Sequence, residues 1–205
     1  MTDYTKLEQI VESNSDVILD MADKVWDWAE LGFKEQKSSA YEAAVLEKNG
    51  FKMSDRGIGG LDTSWIATWG TGSPVVGIMV EFDALPDLGN EKVPTKTPRE
   101  DGVTNGHGCG HNLIGSGAVG TAISLKAHME KEGIAGTIKV FGCPAEELLK
   151  AARAEFDKRT GGKPYKSLNV LDAPPGGIMD DEARHDYECC IHGAMAHFGI
   201  KEHVV

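Results

Sequence analysis

Two soft metal donors, the Cys109 thiol and the His111 imidazole, stand two residues apart in the glycine-rich stretch 105–112. Glycine neighbours add no side-chain bulk, so the two donors can converge on one point. Thiolate sulfur and imidazole nitrogen are ligands that zinc and related transition metals take in proteins. The residue types and their spacing therefore predict a transition-metal site.

A Cys-x-His pair also has a second explanation, because cysteine is among the most buried residue types and a buried histidine is often a core residue. The surrounding composition argues against that explanation. Three glycines alternate with His107, Cys109 and His111 and bring almost no side-chain volume with which to build a core. Metal ligation is the favoured hypothesis.

Carboxylates follow two apolar runs of the chain. Glu146 and Glu147 come after the β-branched run 137–141, which is typical of a buried strand that delivers both side chains at its carboxyl end. One could bind a metal while the other transfers protons. Asp83 follows the run 74–80 and is expected at the sheet edge where α/β proteins place active sites, a solvated strand end being the alternative.

The elements that must position these residues follow from hydrophobic periodicity. Helices are predicted near residues 5–28 with a break at Asn14-Ser15, 38–48, 113–131 and 148–160. Strands are predicted at 65–69, 74–80 and 137–142, the first two joined as a hairpin and the second of them buried and central. We therefore expect an α/β fold, a central and partly parallel sheet flanked by helices.

Composition limits the kind of partner. The net charge of -11 and the pI near 5.1 argue against nucleic acid and anionic membranes, which attract basic proteins. No window approaches the roughly 18 to 20 apolar residues of a membrane span. The four cysteines come without a secretory signal at the start of the sequence, so we expect a reducing, cytoplasmic location.

Four motifs occur in a specific order: WAELGF at 28–33, EFDALP at 81–86, GHGCGHN at 106–112 and CPAEE at 143–147. In these motifs the chain resembles the M20 metallopeptidase and amidohydrolase family, most closely its aminobenzoyl-glutamate hydrolase branch. The resemblance covers roughly residues 1–147. It implies a zinc-peptidase-like catalytic domain in which a pair of divalent ions, zinc or manganese, hydrolyses an amide bond in a small acyl-amino-acid or aminobenzoyl-glutamate-like substrate.

The resemblance also implies roles for individual residues. Cys109, His111 and Glu147 would bind metal, and Glu146 would be the general base that deprotonates the attacking water. Asp83 would orient the metal-bound groups. These roles agree with the chemistry of metal-assisted hydrolysis, in which a metal polarises the carbonyl and a carboxylate carries the proton.

After Glu147 the chain departs from the family pattern. Further histidine ligands, a lid or dimerisation domain and the second catalytic half do not follow; the predicted helix 148–160 looks like the family's last helix joined directly to the first half. We therefore divide the chain into a partial catalytic domain, residues 1–165, and an unassigned tail, residues 166–205. A homodimer is possible without the usual dimerisation domain.

An inactive remnant that binds metal or self-associates without turnover is the alternative function. We expect little or no activity from the chain alone unless further donors come from His192, from His197 or from a partner subunit. Cys189 and Cys190 stand close to these histidines, but their spacing fits no structural zinc pattern, and adjacent cysteines rarely bind one ion together. A second metal site is therefore not predicted.

Overall fold

The computed structural model describes residues 4–148, without the side chains of Ser54 and Asp55. Residues 4–57 and 61–147 belong to one compact unit, whereas Ile58–Gly60 and Leu148 belong to another. The first unit contains the sheet, the helices and the predicted site. The helix predicted at 148–160, apart from Leu148, and the tail 166–205 lie outside the described residues.

Three helices come first along the described chain, three strands follow, and a fourth helix precedes the last strand. The α-helices are α1 Thr5–Ser13, α2 Ser15–Trp28, α3 Gln36–Lys48 and α4 His111–Glu132. The strands are β1 Lys52–Arg56, β2 Trp65–Thr71, β3 Val75–Glu81 and β4 Gly136–Cys143. Short 3-10 turns occupy Ile58–Gly60 and Glu146–Leu148. None of the helices in the described part of the chain is both long and apolar enough to cross a bilayer.

The helix predictions within residues 4–148 are confirmed, with small shifts at their ends. The break between α1 and α2 is at Asn14, whose side chain donates hydrogen bonds to Ile10 O and to Ser124 Oγ of α4. Helix α3 begins earlier than predicted because the Glu30 carboxylate accepts the main-chain N–H groups of Lys37 and Ser38. A carboxylate at a helix start stabilises the unpaired N–H groups there.

The sheet has the strand order β1-β2-β4-β3, with β4 antiparallel to β2 and parallel to β3. The predicted α/β class and the shared sheet of 74–80 and 137–142 are confirmed. The predicted hairpin of 65–69 and 74–80 is wrong, because β4 lies between those strands. Ile138 and Val140 of β4 are fully buried, and a strand paired on both sides satisfies the backbone groups that such burial removes from water.

Strand β3 differs from its prediction as a buried central strand. It lies at the end of the described strand order, and Val75 and Val76 are 46% and 40% exposed. Only its last part enters the core, where Val80 is fully buried. An apolar run indicates that a segment tends to form a strand, whereas the burial of that strand depends on what packs against it.

Helix α4 packs against both α2 and β3 and makes the core continuous. The largest fully buried side chains of this core include Trp65, Phe82, Met21, Leu46 and Ile138. Gly115 lets α4 approach the end of β3, since a Cβ at this position would lie 2.3 Å from the Glu81 carbonyl oxygen. This close approach places the first turn of α4 beside the carboxyl end of β3.

Replacing Gly115 by alanine tests whether this approach is required. We expect Gly115→Ala to lower the free energy of unfolding by about 1–3 kcal/mol, because the new methyl group would push helix and strand apart. Gly117→Ala in the same helix is the matched control, since its Cβ would meet nothing within 4 Å. The control should gain about 0.5–1 kcal/mol from helix propensity. Urea denaturation measures both, and equal stabilisation by the two substitutions would contradict the packing.

Candidate metal centre

The predicted donors reach one place from two elements. Gly110, with φ of +100°, precedes α4 in a left-handed conformation that glycine adopts without strain, so the chain turns sharply between Cys109 and His111. His111 is the first residue of α4 and is 1% exposed, whereas Cys109 is exposed. Glu147 arrives from the turn that follows β4.

One ligand atom from each of Cys109, His111 and Glu147 lies within 4.8 Å of the other two. Two donors of one zinc ion are at most about 4 to 4.6 Å apart, twice the bond length, so small side-chain rotations suffice for shared coordination. Among the described residues, the buried Oε1 atom of Glu147 also has no hydrogen-bond partner. A buried carboxylate oxygen in this state fits a cation ligand. These residues therefore fit a transition-metal ion, and their role as ligands stays a prediction.

Asp83 forms hydrogen bonds with two of the three donor residues, His111 and Glu147. His111 Nδ1 donates to the main-chain oxygen of Asp83 at 2.9 Å, and Asp83 Oδ1 lies 3.1 Å from the same nitrogen. The second carboxylate oxygen of Asp83 accepts the main-chain N–H of Glu147 at 2.9 Å. Because a carbonyl can only accept, Nδ1 carries a proton, and in the neutral imidazole the Nε2 atom is left to bind a metal. Asp83 is 1% exposed, which excludes the alternative of a solvated strand end.

Two further carboxylates face the other nitrogen of the ring. Glu146 Oε2 lies 3.4 Å and Glu81 Oε2 3.5 Å from His111 Nε2. Burial alone would lower the pKa of His111, but hydrogen bonds to Asp83 and Glu146 and the nearby negative charges raise it to about 11. The His111 imidazole is therefore positively charged and partly balances the negative charge of the acids around it.

The pKa values of the acids and of the thiol in the site are shifted as well. Burial raises the pKa of Glu81 and of Glu147, although the charge of His111 opposes this. Burial also raises the pKa of the Cys109 thiol. A dication would favour the deprotonated forms of all three groups, because metal ligands must lose their protons to bind.

Two other residues of these motifs, His107 and Glu81, received no role from the sequence. His107 lies outside the donor group, and its Nε2 atom forms a hydrogen bond with Val25 O at 3.0 Å. Glu81, in contrast, faces His111. The signal that could have found it is the parallel register of β3 and β4, which pairs Glu81 with Cys143 just before the two glutamates.

The model of peptidase family M20/M25/M40 matches residues 77–201, which include all three donors and extend into the tail left unassigned above.

Two different p-aminobenzoyl-glutamate hydrolase subunits of Escherichia coli K12 are similar to this chain. One is 38% identical over 148 residues, 70% of this chain and 30% of that protein. The other is 35% identical over 153 residues, 68% of this chain and 34% of that protein. The chain thus spans about a third of these curated relatives.

A solved structure gives the same fold. A dinuclear metal binding peptidase of the M20 family from Bacillus subtilis aligns with a TM-score of 0.57 and 25% identity, over 73% of this chain and 41% of that chain. This similarity agrees with the α/β class predicted from periodicity.

Removing two donors tests the metal centre. We expect the double variant Cys109→Ser/His111→Ala to retain less than about a tenth of the wild-type zinc after dialysis, because one carboxylate remains from the three donors. Cys143→Ser is the matched control, since this cysteine lies outside the donor group. Zinc per chain is measured by atomic emission. Equal zinc content in the double variant and the wild type would contradict the site.

Proposed function

The chain belongs to peptidase family M20/M25/M40, and on this basis we propose that it is a metal-dependent hydrolase of amide bonds in small substrates. The observation that carries the proposal is the group of three donor atoms within 4.8 Å, with the Glu146 carboxylate 3.4 Å from His111. The names of the relatives support acyl-amino-acid or aminobenzoyl-glutamate-like substrates.

The proposed ligands are Cys109, His111 and Glu147. Their sulfur, nitrogen and oxygen donors suit Zn²⁺, and Mn²⁺ is the other proposed ion. A bound divalent ion supplies Lewis-acid chemistry, polarising a carbonyl oxygen and lowering the pKa of water. Asp83 keeps the imidazole and the Glu147 main chain in place for this ion through its two hydrogen bonds.

Glu146 is the proposed general base. Its carboxylate faces the same nitrogen of His111 that would bind metal, so it lies beside the position of an attacking water. From there it can accept the water proton and return it to the amine that leaves when the amide bond breaks.

The partner, the location and the oligomeric state of the protein are further proposals. The net charge of -11 favours a small-molecule amide over nucleic acid or an anionic membrane as the partner. A cytoplasmic location is proposed because Cys109 is a free thiol, which a reducing compartment preserves. A homodimer is proposed as one source of further ligands.

Metal binding without turnover is the second candidate function. Residues 4–148 contain three clustered donors, whereas a two-metal site needs more. The chain also matches only 30% of the length of the relative with 38% identity. Within the described residues, the donor count favours binding of one ion without efficient catalysis.

The neighbouring glutamates separate these functions. We expect Glu146→Gln to keep its zinc but lose turnover by about 10²-fold or more, because the amide cannot accept a proton. Glu147→Gln should lose zinc instead. Zinc content and the release of p-aminobenzoate from p-aminobenzoyl-glutamate are measured on the same preparations.

Each outcome decides between the candidates. Turnover that survives Glu146→Gln would defeat the assignment of the base. A wild-type chain that binds zinc and releases no product above the buffer rate would establish the second function and defeat the hydrolase. Equal zinc loss in both variants would show that the two glutamates do not have separate tasks.

A further inference from the structure

A fully buried carboxylate outside the metal centre contacts the turn that carries Glu146 and Glu147. Glu35 immediately precedes α3 and is 0% exposed. Its Oε1 atom accepts the main-chain N–H of Ala145 at 2.7 Å, and its Oε2 atom accepts the Thr63 hydroxyl at 2.9 Å. Burial raises the pKa of this carboxyl group. Removing a carboxyl group from water is costly, and such groups are frequent near functional sites.

The partner of Glu35 has an unusual backbone conformation. Ala145 has a φ of +59°, in the left-handed region, and is fully buried. For a residue with a Cβ this conformation costs roughly 1–2 kcal/mol, so it persists only where neighbouring groups hold it. The residue stands between the end of β4 and Glu146. Its conformation therefore decides the direction in which Glu146 and Glu147 leave the strand.

The same turn is held again two residues later. The main-chain N–H of Glu147 donates to Asp83 Oδ2 at 2.9 Å. Glu146 is thus flanked by two main-chain N–H groups, one bonded to Glu35 and the other to Asp83, and both acceptors are buried carboxylates. Two fixed points on either side leave Glu146 little freedom to rotate its backbone away from His111.

We propose that Glu35 is a positioning residue, whose hydrogen bond to the Ala145 N–H fixes the turn that points Glu146 and Glu147 at His111. It acts through the backbone and contacts neither substrate nor metal. The inference rests on the proposed function, because it concerns the residues assigned there to the metal and the proton. A purely structural role, in which Glu35 only ties α3 to Thr63, is the competing explanation.

Zinc affinity distinguishes the two explanations. Glu35→Asp keeps the charge but withdraws the carboxylate by one methylene, so we expect at least about a 10-fold weaker affinity for zinc, the usual effect of losing a group that orients a ligand. Glu35→Gln keeps the length and an acceptor for Ala145, and should stay within about threefold of wild type. Affinity is measured by competition with a chromophoric chelator.

Thr63→Val is the matched control. It removes the other hydrogen bond of Glu35 at nearly constant volume and leaves the bond to Ala145 in place, so its zinc affinity should also stay within about threefold of wild type. Equal loss of affinity in Thr63→Val and Glu35→Asp would overturn the proposal in favour of a structural role. If Glu35→Asp does not fold, the zinc affinity of Glu35→Gln tests the proposal instead. Weaker zinc binding in Glu35→Gln, which keeps the acceptor for Ala145, would also overturn the proposal.

Amide hydrogen exchange of the metal-free protein tests the hydrogen bond without relying on the proposed function. We expect the Ala145 N–H to exchange at least about tenfold faster in Glu35→Asp than in wild type. The exchange rate of the Val140 N–H in β4 should not change, because only the turn around Ala145 opens. Unchanged protection of Ala145, or equal acceleration at Val140, overturns the proposal. A wild-type chain that binds no zinc would defeat the proposed function, while the exchange contrast would still decide the role of Glu35.

Discussion

Excess negative charge around one buried imidazole is the constraint on which the site depends. Four carboxylates, from Glu81, Asp83, Glu146 and Glu147, surround His111. Like charges at such distances repel strongly where water is scarce, so the cluster persists only with protons or cations to balance it. The raised pKa of the imidazole supplies one such balance. A divalent ion on the thiol, the imidazole and a carboxylate would supply another, which connects the electrostatics of the site with its proposed chemistry.

The sheet brings these charges together because two strands run parallel. Strands β3 and β4 are hydrogen-bonded neighbours in register, so the residues that follow each of them meet at one edge. Helix α4 adds His111 to the same edge, and Gly115 permits the close contact with β3. The acidic residues therefore converge through backbone pairing, and their side chains need little freedom of their own.

Family membership and the number of ligands among the described residues bear on function in opposite directions. The family match and the geometry of the donor group support hydrolytic chemistry. The described residues, however, provide ligands for one ion, and the matched relatives are about three times longer than the matching segment. A site with one ion and a correctly placed base can still be tested for both binding and turnover, since the two depend on different residues.

Local patterns in the sequence determined much of this protein. Periodicity predicted the four α-helices and three of the four strands within residues 4–148, and missed β1. Donor chemistry with glycine spacing predicted a metal site at Cys109 and His111, to which the family resemblance added Glu147. Tertiary structure decided the strand order, which puts β4 between β2 and β3, and the exposure of the first residues of β3. It also decided the part played by Glu35, which meets Ala145 across 110 residues of chain. Local patterns report the preferences of neighbouring residues, whereas pairing, burial and hydrogen bonds between distant segments arise only when the whole sheet assembles.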